Sequence, residues 1–362
     1  MRSLMMRAWI EVDLGAVVRN AVTLAQRAGV PLLPMIKADA YGLGAVPVAR
    51  ALEQVSPWGY GVATIEEGEE LRGAGISREI LICAPLLLGE LSAVAEARLT
   101  PILSSAEQIA RWSTTRRPWH LGVDTGMSRN GVRWHEVGRL HDLIRAHPPD
   151  GACTHFFAAD LDTGARALQE RRFSEAMEAL PVAPRVLHAE NSAAVEGAAP
   201  SRWSFVRPGI FLYGVQSRAD SPIAPEPVVA VRSRVVQLRT IAAGDTVSYH
   251  ATWRATGARR IATLPLGYAD GYRRGLSNRG VALIRGQPAP VVGLVTMDMT
   301  MVDVTDVPCE EGDIATLVGS DGGGQLDVAQ VAAAGDVSPY ELLTGLRLRL
   351  PRQYRGAVGI GP

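Results

Sequence analysis

The first two-thirds of the chain alternates short apolar runs with longer amphipathic segments. In residues 14–28, Leu14, Val17, Ala21 and Leu24 recur at the spacing that places side chains on one face of a helix. The other segments with helical spacing are residues 44–54, 65–74, 105–113, 136–146 and 165–179. The apolar runs lie near residues 31–36, 59–63, 79–83, 100–103, 119–123, 150–156, 185–188 and 204–207. This pattern predicts about eight strand-then-helix units, which is the count of a (β/α)₈ TIM-like barrel.

A doubly wound parallel sheet is the alternative architecture for such an alternation. Sheets of that kind that bind dinucleotides carry a glycine-rich loop directly after an early strand. No such loop follows the early apolar runs of this chain. We therefore favour the α/β fold class with an N-terminal barrel over residues 1–227.

The pattern changes after Pro225-Glu226-Pro227, where period-two runs separated by turn residues begin. The predicted strands are residues 228–241, 246–252, 259–264, 281–285, 290–296 and 299–304. A short helix near residues 326–334 and a last segment around residues 340–350 follow, and the glycine-rich stretch 319–324 is predicted to be a turn. Residues 228–362 are thus expected to form a second domain that is mostly β.

Composition excludes several classes of function. The chain has 362 residues, of which 47% are hydrophobic, with 37 acidic and 37 basic residues and no basic stripe. This balance argues against nucleic acid or an anionic membrane as a partner. No apolar stretch is long and uncharged enough to span a membrane. The three cysteines are far apart and have neither metal-ligand nor disulfide spacing, which favours a reducing cytoplasm.

One of the 37 basic residues is a lysine, Lys37, and the other 36 are arginines. An arginine supplies charge and reach, but its guanidinium stays protonated in proteins. A lysine amine can lose its proton and act as a nucleophile toward a carbonyl group. Lys37 is therefore a candidate for covalent chemistry, although biased codon usage with one remaining lysine is an equal alternative at this point.

Polar residues follow the ends of several apolar runs. They are Lys37, Asp124, Arg129, His155, His188, Asn191, Ser192 and Arg207. In a barrel the carboxyl ends of the strands meet at one face, where the active site lies. The histidines lack the spacing of a zinc or calcium site, and no nucleophile-elbow motif indicates a serine hydrolase.

Several short segments, taken together and in order, carry a family resemblance over nearly the whole chain. They are Lys37-Ala38-Asp39-Ala40-Tyr41-Gly42, Val123-Asp124-Thr125-Gly126-Met127-Ser128-Arg129, Thr154-His155-Phe156, Asn191-Ser192-Ala193, Val206-Arg207-Pro208-Gly209-Ile210, Val247-Ser248-Tyr249, Gly267-Tyr268-Ala269-Asp270-Gly271 and Met297-Asp298. With these motifs the chain resembles the alanine racemase family, whose members combine a barrel with a C-terminal β domain and use pyridoxal phosphate.

The resemblance implies two acid/base groups on opposite faces of the substrate. Lys37 is expected to bind pyridoxal phosphate covalently and to act as one of them, and Tyr249 is expected to be the other. Racemisation requires this arrangement, because one group removes the α-proton while another delivers a proton from the other side. In the family this tyrosine reaches the active site of the partner subunit, so the resemblance also implies a homodimer.

The resemblance further implies which residues hold the cofactor and the substrate. The cofactor residues are Lys37, Tyr41, His155, Asn191, Ser192, Arg207, Gly209 and Ile210, with Arg207 facing the pyridine nitrogen. Arg129 and the backbone N–H of Met297 are expected to bind the substrate carboxylate. Arg274 is expected to support Tyr249 by a nearby positive charge, and Tyr268 and Asp298 are supporting residues.

Several positions depart from the family pattern. Gly122 stands where many members have a lysine, often carbamylated, that steadies the arginine matched by Arg129. The other departures are Leu43 for a histidine, His250 for a glycine, Leu294 for an arginine and Leu348 for a tyrosine near the phosphate. These changes leave the acid/base pair in place, so we expect an amino acid racemase with alanine as the default substrate. A drift toward larger, more apolar amino acids stays open as an alternative.

Two other functions fit the same resemblance less well. Decarboxylases of basic amino acids share the barrel and β domain but place an acidic residue at the pyridine nitrogen, so Arg207 counts against them. Non-catalytic proteins that bind pyridoxal phosphate resemble the barrel alone, so the region with Tyr249 counts against that alternative.

Overall fold

The computed structural model describes residues 6–198 and 200–356. The strands are β1 (Ala8–Asp13), β2 (Gly59–Val62), β3 (Glu79–Ile82), β4 (Thr100–Leu103), β5 (His120–Asp124), β6 (Val132–Arg133), β7 (Gly151–Cys153), β8 (Val186–His188), β9 (Val229–Arg234), β10 (Gln237–Ile241), β11 (Thr246–Val247), β12 (Trp253–Arg254), β13 (Arg259–Leu264), β14 (Val281–Ile284), β15 (Gln287–Pro290), β16 (Thr300–Asp303), β17 (Ile314–Asp321), β18 (Gly324–Leu326) and β19 (Arg352–Arg355). The helices are α1 (Leu14–Ala28), α2 (Lys37–Gly42), α3 (Ala45–Leu52), α4 (Ile65–Gly73), α5 (Leu91–Glu96), α6 (Ala106–Ser113), α7 (His141–Ala146), α8 (Ala165–Glu178), α9 (Ser192–Gly197), α10 (Val328–Ala334) and α11 (Pro339–Thr344).

The predicted β/α barrel is confirmed. Strands β2, β3, β4, β5, β7 and β8 pair in parallel in that order. The apolar run 31–36 completes the ring, because the Leu33 N–H donates to the Val206 carbonyl at 2.7 Å on one side and the Ile36 N–H donates to the Gly61 carbonyl at 2.9 Å on the other. The carboxyl ends of all eight apolar runs therefore meet at one face.

The helical periodicity located most of the barrel helices. The first predicted helix has the bounds of α1, which begins after Asp13, whose carboxylate accepts from the Ala16 N–H at 2.8 Å. It ends at Gly29, which adopts the left-handed conformation. The predicted helix 136–146 differs, because its first half is a 3₁₀ turn and α7 begins at His141.

A second sheet has the strand order β15-β14-β17-β9-β1-β19. Its strand β1 comes from the start of the chain, since Ile10 pairs with Val231 on one side and with Arg352 on the other. The first described strand therefore belongs to the sheet of the C-terminal region and not to the barrel. The predicted division into domains 1–227 and 228–362 stays a prediction. Its outer bounds, residues 1 and 362, lie outside the described residues.

Several predictions in the C-terminal region were wrong in detail. The predicted strand 246–252 ends at Val247 and is followed by a 3₁₀ turn over Tyr249–Ala251, and the predicted strand 290–296 is displaced, since β15 spans Gln287–Pro290. The run 228–241 is broken at Val235-Val236 into β9 and β10, which lie in different sheets. The glycine-rich stretch is not simply a turn, because β17 runs through Asp321 and pairs with β18 as a hairpin. Glycine has no side chain to signal a strand, so the sequence pattern conceals this pairing.

Helices that could cross a membrane are absent from residues 6–198 and 200–356, where none is both long and apolar enough.

Candidate active site

A cavity of about 620 Å³ lies at the carboxyl ends of the barrel strands. Ten residues that the sequence nominated line it, namely Lys37, Tyr41, Asp124, Arg129, His155, Asn191, Ser192, Arg207, Gly209 and Ile210. These residues follow five different strands or runs, so the barrel places side chains that are far apart in sequence around one space. Cys83 and Cys153 also line it, and burial raises the pKa of both thiols, which keeps them protonated.

Lys37 begins a turn of unusual conformation. The next four residues, Ala38 to Tyr41, all have φ between 50° and 57°, which is the left-handed helical region. For a residue with a Cβ atom this region costs about 1–2 kcal/mol. We call Lys37–Gly42 (α2) the lysine turn. Four strained residues next to the nominated nucleophile indicate that surrounding contacts impose this backbone.

Tyr41, Ser192 and Gly209 form a cradle at one end of the cavity. The Tyr41 ring stacks on Tyr213 at 4.7 Å between centroids, and burial raises the pKa of Tyr41, so its hydroxyl stays protonated and can donate. The Gly209 N–H donates to Ser192 Oγ at 2.9 Å. A Cβ atom added at Gly209 would lie 2.3 Å from Tyr41 Oη, so the close approach requires glycine. Because the Gly209 N–H is donated to Ser192 Oγ, the Ser192 hydroxyl hydrogen is free to point elsewhere, and two hydroxyl donors converging in this way suit a phosphate group.

Arg207 is buried and makes its polar contacts with neutral groups. Its Nη2 donates to the carbonyls of Thr154 at 2.7 Å and Ala189 at 3.1 Å, and its Nη1 donates to His188 Nδ1 at 2.6 Å. His155 Nδ1 lies 3.3 Å from Nη2. No carboxylate pairs with Arg207 in residues 6–198 and 200–356. Its positive charge is therefore not neutralised by a neighbour and is available to a group bound in the cavity.

The histidines behind Arg207 form a chain that sequence reasoning missed. His188 Nε2 lies 2.8 Å from His120 Nδ1, and because His188 Nδ1 accepts from Arg207, its Nε2 carries the proton and donates to His120. Burial, followed by the charge of Arg207, lowers the pKa of His155 and of His120 to about 3 and that of His188 well below its usual value. The three histidines are therefore neutral, and His188 can accept a hydrogen bond from the positively charged Arg207. Its only sequence signal was a histidine at the start of β5 and another at the end of β8.

Arg129 is exposed, and its side chain has no hydrogen bond or ion pair within the described part of the chain. Its loop is shaped by Asp124, whose Oδ1 accepts from the N–H groups of Gly126 at 2.9 Å and Ser128 at 3.0 Å. The loop is thus held while the guanidinium is left available to an anionic ligand.

Gly122 also lines the cavity, and a Cβ atom at this position would crowd the side chains of the neighbouring strand. A Cβ atom there would lie 2.9 Å from Ile102 Cγ2 and 3.1 Å from Ser104 Oγ. The neighbouring strand therefore fills the space at the position where many family members have their lysine.

We predict that Gly122→Lys lowers the thermal midpoint by roughly 5 °C, because overpacking a buried strand costs about 1–3 kcal/mol. The matched control is Gly138→Lys, since a Cβ atom at that exposed glycine has no neighbour within 4 Å. Scanning calorimetry of both variants measures the effect. Equal midpoints for the two variants would show that the space at residue 122 is open.

The remaining nominated residues lie outside this cavity in a single chain. Tyr249 follows β11 at the tip of the β11–β12 hairpin and is 69% exposed. Ser248 before it has φ 65° and His250 after it has φ 61°, and Ser248 Oγ donates to the Leu294 carbonyl at 2.7 Å. A strained, anchored tip thus presents a tyrosine to the outside of the molecule.

The loops around Met297 and Tyr268 are joined to each other. The Tyr268 N–H donates to the Thr296 carbonyl at 3.0 Å. Arg349 bridges the two loops, since it lies 3.2 Å from Asp270 and 2.8 Å from Asp298. Arg274 is exposed and makes no side-chain contact with Tyr249 among the hydrogen bonds and ion pairs of residues 6–198 and 200–356.

The expected equivalence of Leu348 with a tyrosine near the phosphate is not supported by its position. Leu348 is 87% exposed. Tyr340 in α11 lines the cavity instead, with its ring centroid 6.0 Å from that of Tyr41. Sequence reasoning missed Tyr340, because nothing local distinguishes it from any other helical tyrosine.

Comparisons with known proteins agree with this geometry. Residues 12–217 match the family model for the alanine racemase N-terminal domain, and residues 228–354 match the model for the C-terminal domain. An alanine racemase from Sorangium cellulosum is 41% identical over 89% of this chain and 90% of the relative. One from Symbiobacterium thermophilum is 38% identical over 96% of this chain and 97% of the relative.

Solved structures give the same result. An alanine racemase from E. faecalis superposes with a TM-score of 0.91 at 29% identity and covers 96% of this chain and 98% of that one. An alanine racemase from Bartonella henselae with covalently bound pyridoxal phosphate superposes with a TM-score of 0.90 at 30% identity, over 97% and 100% of the two chains.

Proposed function

The chain belongs to the alanine racemase family, and we propose that it interconverts L- and D-alanine with pyridoxal phosphate as its cofactor. The observation that carries this proposal is the convergence of one lysine, one charged arginine and a hydroxyl-lined cradle around a single cavity. The activity is therefore that of an isomerase acting on a small amino acid.

The residues around the cavity fit this cofactor. The cradle of Tyr41, Ser192 and Gly209 offers donors to a phosphate group, and Lys37 lies in the same cavity with an amine that can bind an aldehyde. When bound, the cofactor delocalises the electron pair that remains on the α-carbon after proton removal. Arg207 would hold a positive charge at the ring nitrogen, which favours an unprotonated nitrogen.

The neutral partners of Arg207 support racemisation over other chemistry. A ring nitrogen that stays unprotonated makes a weaker electron sink, so the α-carbon is reprotonated sooner and side reactions are suppressed. A carboxylate at this position would instead stabilise a protonated ring nitrogen by its negative charge. The decarboxylase alternative requires such a carboxylate, and Arg207 is supported by carbonyls and His188.

Lys37 and Tyr249 are proposed as the two acid/base groups. Lys37 would transfer the proton on one face of the α-carbon and Tyr249 on the other. Arg129 would bind the substrate carboxylate together with the backbone N–H of Met297, which keeps the α-hydrogen between the two groups. His155 and Asn191 also line the cavity, which supports their proposed role in holding the cofactor.

We propose that the active unit is a homodimer with shared active sites. Tyr249 and Met297 are 69% and 53% exposed and lie outside their own cavity, so a second copy is needed to complete each site. The exposed apolar side chains around these loops, among them Met299 at 45%, support an interface there. The proposed location is the cytoplasm, which the three unpaired cysteines support.

Alanine is the favoured substrate, because the departures from the family pattern in and around the barrel cavity leave no extra space for a larger side chain. Leu43 is fully buried in the core and Leu348 is exposed. Gly122 lines the cavity, but its neighbours fill the extra space. These positions give little support to a drift toward larger substrates.

The test is chiral product analysis of purified protein supplied with pyridoxal phosphate, across a panel of L-amino acids. We expect alanine to be racemised at least about 10-fold faster than larger amino acids, since a filled pocket discriminates by about 1–3 kcal/mol per added group. Amine products without D-amino acid would instead support the decarboxylase alternative. A larger amino acid turned over faster than alanine would contradict the substrate assignment.

A further inference from the structure

The lysine turn needs support from outside itself. Its four left-handed residues are Ala38, Asp39, Ala40 and Tyr41, and none of them is a glycine. The turn has backbone bonds of its own, since the Ala40 N–H donates to the Ile36 carbonyl at 2.9 Å and the Gly44 N–H donates to the Asp39 carbonyl at 2.9 Å. These bonds do not remove the steric cost of left-handed angles at residues with a Cβ atom. Without external contacts the chain would relax to ordinary backbone angles and move the Lys37 side chain.

Contacts from the barrel hold the first half of the turn. The Ala38 N–H donates to Glu67 Oε1 at 2.7 Å, and Oε2 of the same carboxylate accepts from the Ala63 N–H at 2.7 Å. Asp39 Oδ1 accepts from the Ala45 N–H at 2.7 Å and so connects the turn to α3.

The end of the turn is held by a residue from the other end of the chain. Arg352, in β19, donates to the Gly42 carbonyl from Nη2 at 2.8 Å and from Nε at 3.2 Å. The same guanidinium donates to the carbonyls of Leu346, Arg347 and Leu350 at 3.2, 2.8 and 2.8 Å. It is partly buried and has no carboxylate partner in residues 6–198 and 200–356, so its donors are committed to backbone oxygens.

Backbone packing requires the same close approach. A Cβ atom at Gly42 would lie 2.6 Å from the Leu343 carbonyl oxygen, and one at Gly44 would lie 2.0 Å from Tyr354 Oη. Both glycines have positive φ, at 83° and 103°. The segment that ends in β19 thus presses on the turn while Arg352 binds its last carbonyl.

We propose that Arg352 is a positioning residue that maintains the left-handed lysine turn and thereby aims the Lys37 amine into the cavity. The inference rests on the proposed function for the role of Lys37. It makes the C-terminal β region a determinant of the barrel's active site within the same chain.

The experiment compares Arg352→Met and Arg352→Lys with a matched control, Arg355→Met. Arg355 lies in the same strand, is exposed, and pairs with Glu11 and Asp13, away from the lysine turn. Three readouts are taken on the holoenzyme: hydrogen exchange of the peptide covering residues 36–45, the fraction of chains with cofactor fixed to Lys37 by borohydride, and kcat with KM for alanine.

For Arg352→Met we expect exchange in residues 36–45 to rise about 10-fold and kcat to fall about 10- to 100-fold, with KM changed less than about 3-fold, because charged hydrogen bonds are lost and the amine is misplaced. Arg352→Lys keeps the positive charge but loses the several N–H donors of the guanidinium. Its hydrogen exchange and kcat should therefore lie between those of Arg352→Met and wild type. Arg355→Met should match wild type. Identical exchange and kcat for Arg352→Met and Arg355→Met would overturn the proposal.

A second substitution separates positioning from general destabilisation. Glycine adopts left-handed angles without penalty, and Ala38 is exposed, so Ala38→Gly lowers the strain that Arg352 counteracts without leaving a core cavity. Adding it to Arg352→Met should recover about 3-fold or more in kcat and restore cofactor fixation. No recovery would show that strain in the turn is not what Arg352 opposes.

The two proposals can fail separately. If wild type racemised no amino acid, the proposed function would fail, while hydrogen exchange would still report whether Arg352 holds the turn. If Arg352→Met did not fold, the test would use Arg352→Lys, whose thermal midpoint shows whether it is folded. Faster hydrogen exchange in residues 36–45 of that variant than in wild type would support the proposal, and unchanged exchange would overturn it.

Discussion

Lys37→Arg is expected to lower racemase activity by at least about 10⁴-fold, because the substitution removes the proposed covalent nucleophile, which is also one of the two proposed acid/base groups. If Lys37 were only a structural cation, Lys37→Arg would leave activity largely intact, because arginine keeps the positive charge and a similar length. The measurement is the rate of D-alanine formation from L-alanine, with circular dichroism to confirm that the variant is folded.

Labelling gives an independent check on the same residue. Lys37 is the single lysine of the chain, so borohydride should fix the cofactor to one peptide in wild type and to none in Lys37→Arg. Arg111→Lys is the control, since it adds an exposed lysine far from the cavity that should remain unlabelled. If the introduced lysine were labelled to the same extent as Lys37, the labelling would be non-specific, and this would contradict the assignment of Lys37 as the cofactor-binding lysine.

Tyr249→Phe is expected to lower racemisation by about 10²- to 10⁴-fold while leaving the cofactor bound, because only the proposed second acid/base group is lost. The tyrosine lies outside its own cavity, so its removal should not change cofactor absorbance or borohydride fixation to Lys37. Normal racemisation by this variant would make the two-base assignment wrong.

Mixing the two inactive variants tests where Tyr249 acts. In a shared-site dimer, a mixed pair of Lys37→Arg and Tyr249→Phe subunits contains one site with both groups intact. Random exchange should therefore restore about a quarter of wild-type activity. Each variant incubated alone is the control. No recovery after proven subunit exchange would mean that Tyr249 serves the cavity of its own chain or none.

Local patterns were sufficient for most of the longer barrel helices and for the choice of active-site face. Apolar spacing located α1 and the capped helix α4 because amphipathic periodicity and capping residues are properties of adjacent sequence. The polar residues at the ends of apolar runs converge because parallel strands end at one face. Their identity as a racemase site came from the family resemblance and not from periodicity.

Long-range contacts were beyond such patterns. Nothing adjacent to Ile10 indicates that it pairs with Val231 and Arg352 across the chain. His188 contacts His120, and Arg207 contacts His188 and the Thr154 carbonyl. These contacts depend on which strands become neighbours when the barrel closes. Sequence separation hides a contact that folding creates.

By itself the sequence determined that Lys37 is the one amine available for covalent chemistry, and that strand-then-helix units would gather polar residues around it. The tertiary structure alone decided how that amine is presented. Alanine and tyrosine do not favour left-handed angles, so the lysine turn exists because Glu67 and Arg352 hold its two ends. It also decided that Tyr249 stands at an exposed hairpin tip, since exposure follows from how strands pack and not from the residue type.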